Sequence, residues 1–273
     1  MGSQRDDGSV VGGRPETRWC AVTGARGFMA RHLVAALLRS GEWRVRVTDL
    51  APAIVLGPGE NEALLDDALR DGRAVYASVD ICNLDQVTKG FEGVDVVFHT
   101  AAADPGKNNF KLHYKFIVGN GKNCDDFVYV ENVVHGHIYA NRTLSTMEGA
   151  KKSGGKAYFI TNMEPMNMWD FTHMVQEELG YKRPFKIRIP LLIIKPVSYL
   201  VEWGYKVLYR YGIYQPQLLT PARVKYTTLN RTFSCNRAIE ELGYKPTVPI
   251  MDGLKTTVES YIRLKNKVFL TER

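Results

Sequence analysis

The sequence predicts an α/β fold built on a doubly wound parallel β-sheet. One observation is an apolar segment, Trp19–Thr23, that is followed by a glycine-rich turn and then by a stretch with apolar residues on one helical face, at Leu33, Val34, Leu37 and Leu38. The other is that segments of strand and helix character alternate from there to about residue 100. Because parallel strands are joined by helical crossovers, this alternation predicts a parallel sheet covered by helices.

The glycine-rich turn, within Trp19–Ala30, has the spacing of a dinucleotide-binding βαβ unit. Gly24 permits a sharp turn off the strand, Gly27 lets the backbone approach a pyrophosphate, and Ala30 keeps the helix close to the sheet. The N-terminus of that helix is an anion site, because its first N–H groups have no partner within the helix. The turn therefore predicts a Rossmann-like nucleotide-binding half.

The second predicted strand, Trp43–Thr48, ends at Asp49. A carboxylate at this position accepts hydrogen bonds from an adenosine ribose and repels a 2′-phosphate, so we expect NAD rather than NADP. The alternative is a solvated carboxylate at a strand end that binds no ligand.

The third predicted strand, Arg73–Val79, follows a predicted helix over 61–70 and ends at Asp80 and Ile81. An acidic residue followed by an aliphatic one suits an adenine ring, with the carboxylate on the amino group and the aliphatic side chain against the ring face. The alternative is that Asp80 or Asn83 caps the next helix, which is predicted over 84–91.

The fourth predicted strand, Val94–Thr100, is the most apolar one, and the small residues that follow it leave room for the middle of a cofactor. A parallel crossover takes about a dozen residues or more and usually contains a helix. The stretch between Ala103 and Phe116 has space for barely one short helix. The sheet is therefore expected to stop after four strands, with one side of the fourth strand lacking its usual neighbour.

Four of these features together resemble the extended short-chain dehydrogenases of the 3β-hydroxysteroid dehydrogenase branch: Thr23-Gly24-x-x-Gly27-Phe28, Asp49, Asp80-Ile81 and 97–102. Within that branch the plant sterol-4α-carboxylate 3-dehydrogenases (decarboxylating) are the most similar group, and the segments 126–135, 158–162, 231–233 and 242–246 agree with them. The resemblance implies NAD as cofactor, bound by Thr23, Gly24, Ala25, Arg26, Gly27, Phe28, Met29, Asp49, Asp80, Ile81, Thr100, Ala101 and Ala102.

One part of the family pattern has no counterpart in this chain. Members of the family continue from the fourth strand through a fifth strand with the catalytic Ser or Thr, a Tyr-x-x-x-Lys helix and a sixth strand. Here the chain passes from Lys115 directly into Phe116, which resembles the region after all of those, so we expect an internal deletion near Lys115 and assign no catalytic residue. Tyr261 and Lys265 have the Tyr-x-x-x-Lys spacing, but we interpret them as core packing plus a surface lysine.

The resemblance implies NAD-dependent oxidation and decarboxylation of 3β-hydroxy-4α-carboxy sterols. A tyrosine base with a lowered pKa drives that reaction, and its absence indicates an impaired isoform. The alternative is a non-catalytic variant that binds the nucleotide, or that associates with the full-length protein. The family also implies a location on the cytosolic side of the endoplasmic reticulum with peripheral attachment, or else in the cytoplasm.

We predict three regions: a disordered tail over 1–16, the NAD-binding half over 17–115, and a remnant of the sheet with a small substrate lobe over 116–273. A strand is expected over Lys156–Thr161 and a helical core stripe at Met168, Phe171, Val175 and Leu179. The apolar segment Ile189–Leu208 carries a narrow polar stripe, at Lys195, Ser198, Glu202 and Lys206. This segment is either a helix buried against the lobe or one that contacts a membrane or an apolar substrate.

The composition excludes several functional classes. The net charge of +7 is spread along the chain without a basic block, which argues against nucleic acid and allows mild attraction to anionic ligands or membranes. The cysteines show no metal-ligand spacing. His135 and His137 are two residues apart and lie on different faces of a predicted helix, so we expect no metal site there. The four cysteines are far apart in sequence, so reduced thiols are the expectation.

Overall fold

The computed structural model of the protein describes residues 18–54, 61–102, 116–180, 187–212 and 219–271. For residues 116, 187 and 263–271 it describes the backbone and not the side chains. The predicted tail, the end of the loop after Asp49, Ala103 and the junction near Lys115 lie outside the described residues. Two compact units divide the chain, Met1–Ala102 and Ala103–Arg273. The three predicted regions remain predictions.

The first unit contains a parallel four-stranded sheet in the order β3-β2-β1-β4, formed by β1 (Arg18–Thr23), β2 (Trp43–Asp49), β3 (Ala74–Ser78) and β4 (Val96–His99). The chain moves outward from β1 to β3 and then returns to add β4 on the other side of β1. This reversal is the topological switch point of a doubly wound sheet, and it confirms the predicted Rossmann-like α/β fold.

Three helices connect these strands: α1 (Phe28–Ser40), α2 (Glu62–Arg70) and α3 (Leu84–Gly90). The predicted apolar face of α1 is fully buried, at Leu33, Val34, Leu37 and Leu38, and packs against β2. Each such side chain contributes about 1.5–3 kcal/mol by leaving water. The helix ends at Gly41, whose φ of 68° favours glycine.

The fourth strand is an edge strand of this sheet, because within the described residues it pairs with β1 alone. Phe98 is buried, whereas Asp95, Val97 and His99 on the opposite sheet face are exposed. The apolar sequence of β4 is typical of a strand that is covered on both sides. Within the described residues, β4 has no second strand beside it.

The second unit is mostly helical. Its elements are β5 (Phe116–Val118), β6 (Cys124–Asp125), α4 (Val130–Leu144), α5 (Met147–Ser153), β7 (Met166–Asn167), α6 (Met168–Glu178), β8 (Ile187–Ile189), α7 (Leu191–Arg210), α8 (Pro221–Tyr226), α9 (Asn236–Leu242) and α10 (Ile250–Thr271). Strand β5 pairs in parallel with β8, and β6 pairs antiparallel with β7. The predicted strand over Lys156–Thr161 is wrong, because this segment joins no β-ladder among the described residues.

Two small apolar clusters hold the second unit together. One consists of Ile117, Val118, Trp169, Ile194 and Val224, and the other of Cys235, Ala238, Leu242 and Tyr244. The predicted core stripe on α6 is only half-buried, since Trp169 and Gln176 are the residues that face inward.

The buried amide of Asn132 links α4 to the segment before α10. Its side-chain nitrogen donates to Asn162 Oδ1 and Val248 O, and its oxygen accepts from the N–H groups of Thr247 and Val248. Because the amide is fully buried, every one of these bonds replaces a bond to water.

Helix α7 is far more exposed than a buried helix would be. Ile194 and Ser198 are its only residues in the buried class, whereas Leu192 is 90% and Leu200 68% exposed. The hypothesis of a helix buried against the lobe is therefore wrong for most of its apolar side chains. The predicted polar stripe is also wrong at Ser198, which points inward and donates to Lys195 O.

Helix α10 buries only part of its predicted apolar face. Leu254 and Val258 are buried, but Tyr261 is 56% exposed and Ile262 is exposed as well. The interpretation of Tyr261 as core packing is therefore wrong.

Candidate cofactor-binding site

The glycine turn brings two backbone segments into direct contact. Gly24 has a φ of 65°, and a Cβ atom at this residue would lie 2.7 Å from Cα of Ala101. Only glycine meets both demands, because a side chain would be strained by the dihedral angle and would collide with backbone. The turn at the end of β1 thus packs against the segment that follows β4.

The first turn of α1 begins with Gly27, which has no side chain to cap the helix. The N–H of Gly27 donates to Gly24 O at 2.8 Å, which closes the turn, and no acidic residue lies in the first turn of α1. A helix N-terminus without a cap or an acidic neighbour carries a partial positive charge that suits an anion such as a pyrophosphate.

Asp49 lies at the carboxyl end of β2 and touches the same turn. Its Oδ2 accepts from the backbone N–H of Arg26 at 3.0 Å and its Oδ1 from that of Leu50 at 2.8 Å. A carboxylate offers about four acceptor positions, so two hydrogen bonds leave capacity for ribose hydroxyls. Burial and the charge of Asp49 both raise the pKa of Tyr76, whose hydroxyl donates to Ala51 O.

Thr23 joins β1 to the chain after β4. Its hydroxyl accepts from the N–H groups of Thr100 at 3.1 Å and Ala101 at 3.2 Å, and the Thr100 hydroxyl donates to Thr23 O. Nδ1 of His99 lies 2.9 Å from the Thr23 hydroxyl oxygen. The involvement of His99 was missed from the sequence, although the register of β4 beside β1 places it opposite Thr23.

Asp80 and Asn83 have different tasks in the structure. Asn83 is the N-cap of α3, and its side chain accepts from Gln86 N. Asp80 instead accepts from Cys82 N at 2.9 Å in the turn before the helix, and Ile81 is exposed. The capping alternative therefore holds for Asn83 and not for Asp80, and an adenine role for Asp80 and Ile81 stays a prediction.

The parallel register brings the ends of all four strands to one edge of the sheet. Thr23 lies opposite Thr48 on β2 and opposite His99 on β4, and Asp49 lies opposite Ser78 on β3. Ala25 N donates to Thr48 O, so the turn is bonded to two strands. Phe28 is exposed and Met29 is half-buried at the start of α1, beside this edge.

The described residues offer no alternative centre for metal chemistry. No group of three His, Cys, Asp or Glu side chains in this part of the chain could hold one metal ion. His135 Nδ1 lies 2.7 Å from the Thr247 hydroxyl, and His137 Nδ1 lies 2.9 Å from Val133 O, so the two histidines bind different partners. Nor does any helix within these residues have the length and apolar character needed to cross a membrane.

The sequence profile of the 3-beta hydroxysteroid dehydrogenase/isomerase family matches the chain over residues 21–111 and again over 104–191. The two matches overlap at residues 104–111 of the chain and do not form one continuous match. Such a division is expected where residues of the family pattern are missing from a chain. The break falls at 104–111, close to the junction predicted near Lys115.

Curated relatives agree with the profile. The chain is 36% identical to 3beta-hydroxysteroid-dehydrogenase/decarboxylase isoform 1 of Arabidopsis thaliana, across 91% of this chain and 80% of the relative. It is 35% identical to isoform 2 from the same plant, of which the chain spans only 62%. Human sterol-4-alpha-carboxylate 3-dehydrogenase, decarboxylating, is 39% identical over 55% of this chain and 39% of its own length.

The alignment with the first relative is longer than the chain itself. It runs over 355 positions, which is 82 more than the 273 residues of the chain. At least that many positions of the relative therefore have no residue opposite them here. This excess supports the internal deletion near Lys115, which stays a prediction.

Solved structures agree in fold. UDP-glucuronic acid 4-epimerase from Bacillus cereus, in complex with UDP-glucuronic acid and NAD, superposes with a TM-score of 0.56 at 17% identity, over 91% of this chain and 99% of the epimerase. The PbgP3 protein from Burkholderia pseudomallei gives a TM-score of 0.56 at 12% identity, over 90% of this chain and 96% of that protein. At such identities the likeness concerns the fold alone.

Proposed function

Because the chain belongs to the 3-beta hydroxysteroid dehydrogenase/isomerase family, we propose that it is an NAD-binding sterol dehydrogenase variant with impaired turnover. Its substrates are 3β-hydroxy-4α-carboxy sterols, the class that the names of the decarboxylating relatives indicate. The proposal rests on the alignment with the first relative, in which at least 82 positions of the relative have no residue opposite them, and on the junction that the sequence predicts near Lys115.

The first part of the proposal is that the glycine turn binds NAD. The free N-terminus of α1 suits the pyrophosphate, the close approach of Gly24 to Ala101 keeps the turn compact, and Asp49 retains acceptor positions for the ribose. Bound NAD would supply the hydride acceptor. The residues predicted to hold it, from Thr23 to Met29 and from Thr100 to Ala102, belong to one carboxyl edge of the sheet.

The second part concerns proton transfer. Oxidation at C3 of the sterol requires a base that takes the hydroxyl proton while the hydride leaves, and such a group contributes about 10²- to 10⁴-fold to the rate. The Tyr-x-x-x-Lys stretch that supplies the base in the family has no counterpart in the sequence that follows β4. Tyr261, the one tyrosine with this spacing, lies exposed on α10 in the second unit.

The third part is peripheral attachment to a membrane through α7. Leu192, Leu200 and Trp203 are exposed on α7, which also carries the exposed cations Lys195 and Lys206 on one side and Arg210 at its end. Lys206 is paired with Glu202. Apolar and aromatic side chains bordered by cations are typical of a helix that lies in the membrane interface. With a sterol as substrate, we place the protein on the cytosolic side of the endoplasmic reticulum.

Two measurements test the proposed activity on the full chain. Titration with NAD, followed by tryptophan and tyrosine fluorescence, is expected to show saturable binding. Formation of NADH from a 4α-carboxy sterol is expected to be at least 10²-fold slower than with the Arabidopsis relative measured in parallel. Turnover equal to that of the relative would refute the impairment, and failure to bind NAD would refute the cofactor assignment.

A further inference from the structure

In the part of the chain that the structure describes, the outer edge of β4 has backbone groups that no other strand pairs with. Within the described residues β4 pairs only with β1, and Val96, Val97 and Phe98 form an uncharged run along this edge. Proteins commonly protect free edges with charged side chains, proline or a covering element. None of these three residues is charged, and none is a proline.

The hydrogen bonding to β1 determines which groups are unpaired. The N–H of Asp95 donates to Trp19 O at 2.9 Å, so Asp95 and every second residue after it direct their backbone groups toward β1. Backbone groups alternate in direction along a strand. The N–H and C=O groups of Val96 and Phe98 therefore point away from the sheet.

We propose that β4 pairs antiparallel with β4 of a second copy of this chain, about a two-fold axis at Val97. Val96 then lies opposite Phe98 of the partner subunit. Both residues direct their backbone groups outward, so each such pair exchanges two N–H···O bonds, and the axis generates a second pair. A two-fold axis uses the same surface on both copies, as most homodimers do.

Hydrogen-bond complementarity between a carboxylate and an imidazole N–H selects this partner and this register. Asp95 lies opposite His99 of the partner subunit, and Val97 lies opposite its own counterpart on the same exposed face. Asp95 Oδ2 is bonded to Trp19 N and His99 Nδ1 to Thr23, which leaves Oδ1 and Nε2 for the contact between subunits. Moving the axis by one residue to Val96 would place Asp95 opposite Val97 and lose the contact between the carboxylate and the imidazole.

The sharpest test is a disulfide across the axis. In a non-hydrogen-bonded antiparallel pair the two Cα atoms are about 4.5 Å apart, within reach of a disulfide. The exposed Cys82 is first removed by Cys82→Ser. In that background Val97→Cys is expected to form a covalent dimer on mild oxidation. The matched control is Val75→Cys on β3, the opposite edge strand, because Val75 is 44% and Val97 43% exposed.

Sedimentation of the unmodified chain provides a second measurement. The 30.8 kDa protein is expected to sediment as a dimer at tens of micromolar. Val97→Lys should raise the dissociation constant of the dimer at least tenfold, whereas Val75→Lys should not change it. If the far-UV circular dichroism of Val97→Lys shows unfolding, the pairing is tested by the comparison of cross-linking in Val97→Cys and Val75→Cys alone.

Several results would overturn the pairing. These are a monomer at all concentrations, equal cross-linking of Val97→Cys and Val75→Cys, a dimer that survives Val97→Lys in folded protein, and association only with an intact relative. The pairing does not depend on the proposed sterol or NAD chemistry, so it can fail or succeed independently.

Discussion

The backbone N–H of Arg26 donates a 3.0 Å hydrogen bond to the carboxylate of Asp49, so the end of β2 holds the glycine turn that precedes α1. One side chain therefore has two separable tasks: it supports the turn, and in the proposed function it binds the ribose. Because Leu50 N and Arg26 N each bond a different oxygen, the carboxylate is held in a defined orientation.

Substitution of Asp49 separates these tasks. Asp49→Asn retains an oxygen that accepts from Arg26 N but loses the charge, whereas Asp49→Ala loses both. Both variants should lower the preference for NAD over NADP at least tenfold, because nothing then repels a 2′-phosphate. Asp49→Ala should also lower the thermal midpoint more than Asp49→Asn does, because the asparagine oxygen still accepts from one of the two backbone N–H groups. Binding constants for both nucleotides and thermal denaturation provide the comparison, and an unchanged preference would contradict the ribose assignment.

Substitution of Gly24 tests the contact with Ala101. Gly24→Ala should destabilise the protein and weaken NAD binding, because the new Cβ would meet Ala101 Cα at 2.7 Å and the φ of 65° disfavours a side chain. Gly93→Ala is the matched control, since Gly93 has a φ of 69° with nothing within 4 Å. The positive φ costs about 1–2 kcal/mol in both variants. Urea denaturation should show a larger loss for Gly24→Ala, and equal losses would argue against the backbone clash.

The ion pair of Glu241 predicts a pH dependence of stability. Hydrogen bonds from the Tyr158 hydroxyl and Lys156 hold the pKa of Glu241 below its ordinary value of 4.5. A lowered pKa in the folded state means that the ionised form contributes stability above the unfolded-state pKa. That contribution is lost as the pH falls through the lower, folded-state pKa.

Glu241→Gln keeps the shape of the side chain but removes the charge. The free energy of unfolding of the unmodified protein should exceed that of Glu241→Gln at pH 7, and the difference should shrink as the pH falls below 4.5. Glu240→Gln, at the preceding residue of α9, controls for a general change in net charge. A difference that stays constant down to pH 3 would refute the linkage.

The membrane contact predicts a defined loss of vesicle binding. Leu200→Asp places a charge in the centre of the exposed face of α7 and should abolish cosedimentation with vesicles of phosphatidylcholine and phosphatidylserine. Leu144→Asp introduces the same change at an exposed leucine at the end of α4 and should leave binding unchanged. Binding of both variants to the same extent would exclude α7 as the contact.

Local sequence chemistry predicted the first unit well. The alternation of apolar strands and amphipathic helices predicted β1 to β4 and α1 to α3 in the correct order. Each of these elements is joined to the next by a short connection, so its apolar face finds a partner close by in sequence. The position of Asp49 at the end of β2 follows from the same pattern.

Sequence reasoning was less successful in the second unit. The segment Lys156–Thr161 has strand composition, but a strand exists only where another strand bonds to it, and composition does not reveal that partner. Ser198 was assigned to the polar stripe of α7, yet it is buried, and its hydroxyl donates within the helix to Lys195 O. Burial of a helix face depends on what packs against it, which periodicity alone does not specify.

The sequence by itself determined the doubly wound order of the first unit and the glycine turn, because both depend on the spacing of residues near one another in the chain. Only the tertiary structure decided that His99 meets Thr23, that Arg26 is bonded to Asp49, and that α7 presents its apolar side chains outward. These relationships join residues far apart in sequence, or depend on surfaces that packing leaves uncovered. They form only when the chain folds into its tertiary structure.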